Sequence, residues 1–242
     1  MSSSFLYDKK IWITGASSGI GLAIVNLLNS KQNTLLLTSK NVSKLRESTR
    51  NIKGNSKIYL FPFDVASTQM TNDAFEFIVQ EVGYPDILIN NAGIYIEKSF
   101  INTTSDDFDN LININLKGYF NTTKCVLPAM VEQNGGAIVN IISVTAIESY
   151  TNCSIYSASK AAILSMMNCL REEVKNHNIK IINIMPGAVA TDIWNKKFLE
   201  KFKAKMALPT DVANTVISAL ELCDSNQSMI ETIKIKPQIT FY

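Results

Sequence analysis

Apolar residues along this chain follow two patterns. Short, mostly apolar runs stand at 10–14 (Lys10-Ile11-Trp12-Ile13-Thr14), 34–38 (Thr34-Leu35-Leu36-Leu37-Thr38), 86–89 and 137–142, and each reads as a strand. Between them lie stretches such as Leu22, Ala23, Ile24, Val25, Leu27 and Leu28, whose spacing predicts a helix with its apolar face on a core. The two alternate from Ile11 to about Ile235, which predicts the α/β class with a mostly parallel sheet covered on both faces. No repeat, linker or low-complexity stretch interrupts the alternation. At 242 residues and 46% hydrophobic content the chain holds one sizeable core and is too short for a full second domain, so one domain over 1–242 is expected.

The first strand runs directly into Gly15-Ala16-Ser17-Ser18-Gly19-Ile20-Gly21, and the first helix follows. Strand, glycine turn and helix start form the context in which such a motif binds a dinucleotide. Gly15 can take the tight turn, while Gly19 and Gly21 let backbone and helix approach a pyrophosphate that meets free N–H groups at the helix start. A plain strand-to-helix turn is the alternative reading of this segment.

Tyr156 and Lys160 stand one helical turn apart, so on a helix they share a face. A cation beside a phenol favours the phenolate. At about 4 Å and an effective dielectric of ~20 the attraction is roughly 4 kcal/mol, or about three pKa units, before desolvation is subtracted. On this reading Tyr156 becomes a proton donor and acceptor near neutral pH. Taken alone, a Tyr and a Lys at this spacing are usually ordinary surface neighbours.

The turn Thr14-Gly15-Ala16-Ser17-Ser18-Gly19-Ile20-Gly21, with its Gly-x-x-x-Gly-x-Gly spacing, resembles the cofactor turn of the short-chain dehydrogenases/reductases, and the resemblance continues along nearly the whole chain. It implies a doubly wound Rossmann fold with a seven-stranded sheet between two helix layers. Asp64-Val65 look like the pair that contacts adenine in that family. Asn90-Asn91-Ala92-Gly93 match the element beside the cofactor, which implies cofactor contacts at Asn91, Ala92 and Gly93. Asn115 matches the catalytic asparagine, and Ser143, read as the end of the strand at 137–142, matches the catalytic serine. Pro186-Gly187-Ala188-Val189-Ala190-Thr191 look like the loop that holds the nicotinamide carboxamide, with Pro186, Gly187, Val189 and Thr191 as contacts. Two departures stand out. Ile142 replaces a second serine, and the C-terminal segment lacks the Asp-Gly-Gly ending common among 3-ketoacyl reductases, which weakens that substrate and the associated tetramer.

The chemistry implied is hydride transfer between a nicotinamide and a carbonyl or secondary alcohol. Tyr156 is the general acid/base, Ser143 binds the same oxygen, Lys160 binds the ribose and holds the phenol pKa down, and Asn115 keeps a water in line with Lys160. No metal is called for, and the single histidine, His177, with four scattered cysteines makes a zinc site a poor fit. Cys125, Cys153, Cys169 and Cys223 read as free thiols, with Cys153 near enough to Tyr156 to border the substrate. An NADPH-binding sensor or scaffold with little turnover is the alternative class.

The second strand ends in Ser39-Lys40, where a cofactor with a free 2′-hydroxyl usually meets an acid. Ser39 can donate to a 2′-phosphate and Lys40 can pair with it, so NADP(H) is expected; a solvated lysine at the next helix is the other reading. A net charge of +2 gives no pull toward nucleic acid or membrane, and neither a secretory leader nor a spanning run is evident, so a cytoplasmic protein is expected.

The segment at about 192–207 carries Trp194, Phe198, Leu199, Phe202 and Met206 at near-helical spacing among lysines. In the family it closes over a small-molecule substrate, so its apolar face is expected to line a pocket with Tyr95, Ile147 and Tyr150, or else to pack on the body with its lysines in water. Residues 103–130 and 155–176 look like the two long helices that pair with symmetry mates. The second is apolar all round at Ala161, Ile163, Leu164, Met166, Met167 and Leu170, so a homodimer or homotetramer is expected.

Overall fold

Successive side chains of a strand point to opposite faces, and the first strand, β1 (Lys10–Thr14), shows what this does here. Ile11 and Ile13 enter one buried cluster while Trp12 enters the other, and all three are fully buried. The computed structural model describes residues 4–224 and 228–239. Residues 1–3, 225–227 and 240–242, parts of the domain expected over 1–242, lie outside the described residues. With β2 (Thr34–Thr38), β3 (Lys57–Leu60), β4 (Ile87–Asn90), β5 (Gly136–Ile141), β6 (Ile179–Pro186) and β7 (Thr232–Ile235), β1 forms one seven-stranded sheet of order β3-β2-β1-β4-β5-β6-β7. Every pairing is parallel, where a mostly parallel sheet was expected. The central strands are buried along nearly their whole length, whereas the edge strands β3 and β7 alternate half-buried and exposed residues and carry Lys57 and Lys234 outward.

Helices α1 (Gly19–Leu28) and α8 (Pro209–Glu221) cover the Ile11/Ile13 face with Ile24, Leu28, Val212 and Val216. The Trp12 face is covered by α3 (Thr68–Glu81), α5 (Gly118–Glu132) and α6 (Ser154–Val174) through Ile78, Val126, Ile163 and Met167. Each such side chain stabilises the fold by about 1.5–3 kcal/mol relative to exposure. Local signals start the shorter helices: Asn41 caps α2 (Val42–Thr49) by accepting from Lys44 N at 2.8 Å, and Thr104 with Asp107 forms a capping box on α4 (Ser105–Leu111). The helix expected over 103–130 runs unbroken from Ser105 to Glu132 but is not α-helical throughout. Between α4 and α5 the chain widens into a π-helical stretch, Ile112–Lys117, which carries Asn115, and such widenings cluster at functional sites. The helix expected over 155–176 is α6.

Three asparagines stand side by side across the central sheet. Asn90 Nδ2 donates to Asn140 Oδ1, Asn140 Nδ2 to Asn183 Oδ1, and Asn183 Nδ2 to Asn168 Oδ1, each at 3.1 Å. The parallel register puts Asn90 opposite Asn140 and Asn140 opposite Asn183. All three are buried, and partnered amides here lock the register of β4, β5 and β6 beneath their carboxyl ends. Strand order reverses between β1 and β4, the place where ligands enter a sheet of this kind.

Candidate active site

At that reversal the glycine turn packs against the segment after β4. Thr14 Oγ1 accepts from Asn91 N and Ala92 N at 3.0 and 3.1 Å, and Asn91 Nδ2 donates back to Thr14 O and Gly15 O at 3.0 and 3.1 Å. Gly15 and Gly19 hold left-handed φ values of 65° and 55°. A Cβ on Gly21 would stand 2.4 Å from Gly15 O, and one on Gly19 3.1 Å from Thr191 Cγ2. The turn is therefore folded tightly on itself and on the 186–191 loop. Ser18, the residue before α1, makes no side-chain capping bond, so the first N–H groups of α1 are left for another acceptor.

A cavity of about 570 Å³ runs from this turn to α6. Gly15, Ser17, Ser18, Gly19 and Ile20 line it at one end, followed by Ser39, Lys40, Asp64 and Val65. Asn91, Ala92 and Gly93 form its middle; Ser143, Tyr156 and Lys160, with Pro186, Gly187, Val189 and Thr191, close the far end. Of the residues expected in the site, Gly21 and Asn115 do not line the cavity. Gly21 lies behind the turn, against Gly15 and Asn91. Asn115 is fully buried, its Oδ1 accepting from Ile94 N at 2.8 Å and its Nδ2 donating to Ile94 O and Ser159 Oγ. Its side chain thus fastens the loop after Gly93.

Ser143 does not end the strand; it follows β5 and heads a 3-10 turn (Val144–Ala146), where its Oγ accepts from Thr145 N at 3.1 Å. Ser143 and Tyr156 line the same end of the cavity, and the Ser143 hydroxyl draws the phenol pKa down. Lys160 Nζ donates to Ile141 O at 3.2 Å and lies 5.2 Å from the centre of the Tyr119 ring and 5.8 Å from that of Tyr156. Tyr119 donates to the same carbonyl at 2.6 Å. The expected depression of the Tyr156 pKa is reversed: burial pushes the phenol up to about 12 against the opposing pull of the Ser143 hydroxyl. Burial also pushes Lys160 down to about 7, which weakens the charge meant to stabilise a phenolate. Desolvation exceeds the Coulomb gain that spacing alone suggested.

Lys40 Nζ lies 2.8 Å from Asp64 Oδ2, which ties the two expected nucleotide contacts together, and Ser17 Oγ lies 2.9 Å from Ser39 Oγ. Lys44 also lines this end, paired at 3.1 Å with Asp192. Sequence reasoning missed Lys44, although it stands one helical turn past Lys40. At the other end the wall includes Ile94, Tyr95, Tyr150, Cys153, Ile193, Trp194 and Lys236. Ile147, expected there, is 57% exposed and outside the cavity, as are Phe198, Leu199, Phe202 and Met206. These belong to α7 (Lys196–Phe202) and its continuation: Phe198 stacks on Trp194, and Met206 is buried. The wall is therefore built by the residues before α7, and the helix supports them from behind.

A parallel sheet with a glycine turn at its switch point and a Ser, Tyr and Lys converging past the strand ends defines a dinucleotide-binding oxidoreductase of the Rossmann class. The family model described as short chain dehydrogenase matches residues 9–201, and the chain belongs to that family. An uncharacterised oxidoreductase of Staphylococcus aureus is 33% identical over 218 residues, covering 89% of this chain and 92% of that protein. Dehydrogenase/reductase SDR family member 7 of Mus musculus is 36% identical over 207 residues, 83% of this chain and 61% of that protein. Among solved structures, L-sorbose reductase from Gluconobacter frateurii, complexed with NADPH and L-sorbose, superposes with a TM-score of 0.87 at 24% identity, covering 98% of both chains. A metagenomic short-chain oxidoreductase in complex with NADP gives 0.81 at 26% identity, covering 98% of this chain and 100% of that one. The protein is an oxidoreductase of alcohol and carbonyl substrates, in a family that uses NAD(P)(H). No helix among the described residues is long and apolar enough to cross a membrane.

Proposed function

We propose that this protein transfers a hydride between NADP(H) and a carbonyl or secondary-alcohol substrate, with Tyr156 as general acid/base. The observation that carries the reading is the convergence of Ser143, Tyr156 and the buried Lys160 at one end of a cavity whose other end is the glycine turn. The residues fit the cofactor: the crowding around Gly15, Gly19 and Gly21 is of the kind only glycine tolerates, and the start of α1 offers unclaimed N–H donors. Ser39, Lys40 and Lys44 present a hydroxyl and two cations where a 2′-phosphate would stand, and the metagenomic relative bound to NADP supports the phosphorylated form.

The bound nicotinamide supplies or accepts the hydride. In the reducing direction Tyr156 Oη gives its proton to the substrate oxygen, which Ser143 Oγ orients. Lys160 binds the ribose and, when charged, favours loss of that proton. Asn115 positions the Gly93–Ile94 turn against Lys160. Asp64, Val65, Asn91, Ala92 and Gly93 would hold the adenosine and middle portions, and Pro186, Gly187, Val189 and Thr191 would hold the carboxamide.

The segment at 192–207 covers the substrate through its residues before α7, the chain acts as one catalytic domain, and it works as a homo-oligomer in the cytosol, where its free thiols fit a reducing compartment. The deciding experiment follows NADPH absorbance across ketones, aldehydes, diketones and quinones, then compares kcat/KM for NADPH and NADH. Turnover with NADPH favoured is expected. Equal values would overturn the cofactor assignment, and tight NADPH binding without turnover would favour a sensor.

A further inference from the structure

Around the substrate end of the cavity, the polar side chains are occupied with one another. Tyr95 Oη lies 3.2 Å from Cys153 Sγ, Tyr150 Oη donates to Glu148 Oε2 at 2.6 Å, and Trp194 Nε1 donates to Val189 O at 2.9 Å. Lys236 pairs with Glu148 at 2.8 Å. The Thr145 hydroxyl has no partner but is itself shut off from solvent. Among the described residues, every charged group lining the cavity except Lys160 has an ion-pair partner: Lys40 with Asp64, Lys44 with Asp192, and Lys236 with Glu148. Beyond Ser143, Tyr156 and Lys160, what remains to meet a substrate is mainly ring and aliphatic surface. The Tyr95 ring stands edge-on to Tyr156 at 88° with centroids 4.9 Å apart, Trp194 lies 4.9 Å beyond Tyr95, and Phe198 stacks behind Trp194 at 4.8 Å. The ladder therefore begins at the proton donor and leads along the substrate wall.

Resting on the oxidoreductase reading above, we propose that the substrate is an uncharged, ring-bearing ketone or its alcohol, and that Glu148 enforces this choice by engaging Tyr150 and Lys236. A polyhydroxylated ketone would have to give up hydration of its hydroxyls against partners already taken, and a keto acid would find no unpaired cation beyond Lys160. A flat ring instead can lie against the Tyr95 and Trp194 side chains that line the cavity. Glu148 suits its role because one carboxylate meets Lys236, Tyr150 and Lys234 together; these contacts hold it at about 2, so it stays ionised across the working range. Its removal frees a hydroxyl and an ammonium on the wall without touching Ser143, Tyr156 or Lys160.

The test compares 1-tetralone, fructose and 2-oxobutanoate with the NADPH-loaded enzyme. The wild type is expected to favour tetralone at least about tenfold in kcat/KM over either competitor, the scale of a pocket that leaves polar groups unpaired. Trp194→Ala should lose about tenfold for tetralone. Glu148→Ala should gain about tenfold or more for 2-oxobutanoate, a gain that misfolding cannot imitate. Fructose or 2-oxobutanoate used as well as tetralone by the wild type, or no gain in Glu148→Ala, would overturn the proposal. If no carbonyl is turned over, the oxidoreductase reading fails by itself. Calorimetric titration of the NADP⁺-loaded protein then decides this one: tenfold tighter tetralone binding supports it, and equal or absent binding overturns it.

Discussion

The Lys40 ammonium lies 2.8 Å from the Asp64 carboxylate, joining the end of β2 to the loop after β3 across the nucleotide end of the cavity. Burial pushes the Asp64 carboxyl up, but the Lys40 hydrogen bond and the Ala66 amide outweigh it and leave it below its usual value. Lys40 is thus held where a 2′-phosphate would arrive, with part of its charge already compensated. A charge-assisted phosphate contact contributes about 1.5–3 kcal/mol, and the standing pair with Asp64 argues for the lower half of that range. Lys40→Ala is expected to lower kcat/KM for NADPH about tenfold while changing the NADH value by less than about threefold. An equal fall with both cofactors would show that Lys40 supports the loop and does not read the phosphate.

Tyr156→Phe keeps the ring against Tyr95 and removes only the hydroxyl, so packing should survive. Turnover should fall by about 10²–10⁴-fold, the usual contribution of a general acid, with the NADPH dissociation constant within about twofold of the original. Residual activity above a tenth would remove Tyr156 from the acid/base role.

Lys160 supplies a pH test that needs no substrate. Unfolded, it keeps its proton up to its ordinary pKa of 10.5; folded and buried, it releases it at about 7. Between those values the unfolded state binds more protons, so the folded protein gains stability as pH rises and bears the full cost of a buried charge at and below pH 7. Lys160→Met lacks that cost. In thermal melts without cofactor its Tm advantage over the wild type should be largest near pH 7 and shrink steadily toward pH 10. An advantage that stays constant with pH would mean that Lys160 is charged in the folded protein.

The contrast between spacing and burial also shows how far a sequence can be read. The Thr34–Thr38 and Lys10–Thr14 strands, the glycine turn and the helix bearing Tyr156 and Lys160 follow from local patterns, because apolar periodicity and glycine placement are local properties. The sign of the Tyr156 shift does not, since it depends on how much of the chain folds over the phenol. Lys44 with Asp192 and Glu148 with Lys236 are equally illegible: each joins segments far apart in sequence, and nothing in either segment names the other. The π-helical stretch at Ile112–Lys117 lacks a compositional mark and was read as part of one helix.

Gly21 tests the cradle away from the chemistry. A Cβ there would stand 2.4 Å from Gly15 O and 2.6 Å from Asn91 Nδ2, and the nearer contact is backbone. Gly21→Ala must therefore spread the turn from the 90–93 segment. The expected result is a loss of about 1–3 kcal/mol in stability by urea unfolding and at least about tenfold weaker NADPH binding. Full binding with an unchanged unfolding midpoint would mean that the turn has slack the packing does not show.

The last expectation concerns assembly. Phe100 is 74% exposed and Ile101 89%, just before α4; Phe108 on α4 is 45% exposed and Phe120 on α5 51%. On α6, expected to leave one apolar face exposed, Ile163 and Met167 are buried, and Leu164, Met166 and Leu170 are partly covered by the chain's own core. The more open apolar surface thus lies before and along α4 and α5 rather than on α6. Large exposed apolar side chains on neighbouring elements are costly in water and are commonly covered by another subunit. A two-fold pairing would set the same patch against its copy. Light scattering at low micromolar concentration should give at least twice the 26.9 kDa chain mass, and Phe120→Glu should weaken association at least about tenfold by placing two carboxylates near the axis. A mass of 26.9 kDa for the wild type would overturn the assembly. A dimer unchanged by Phe120→Glu would move the interface away from α5.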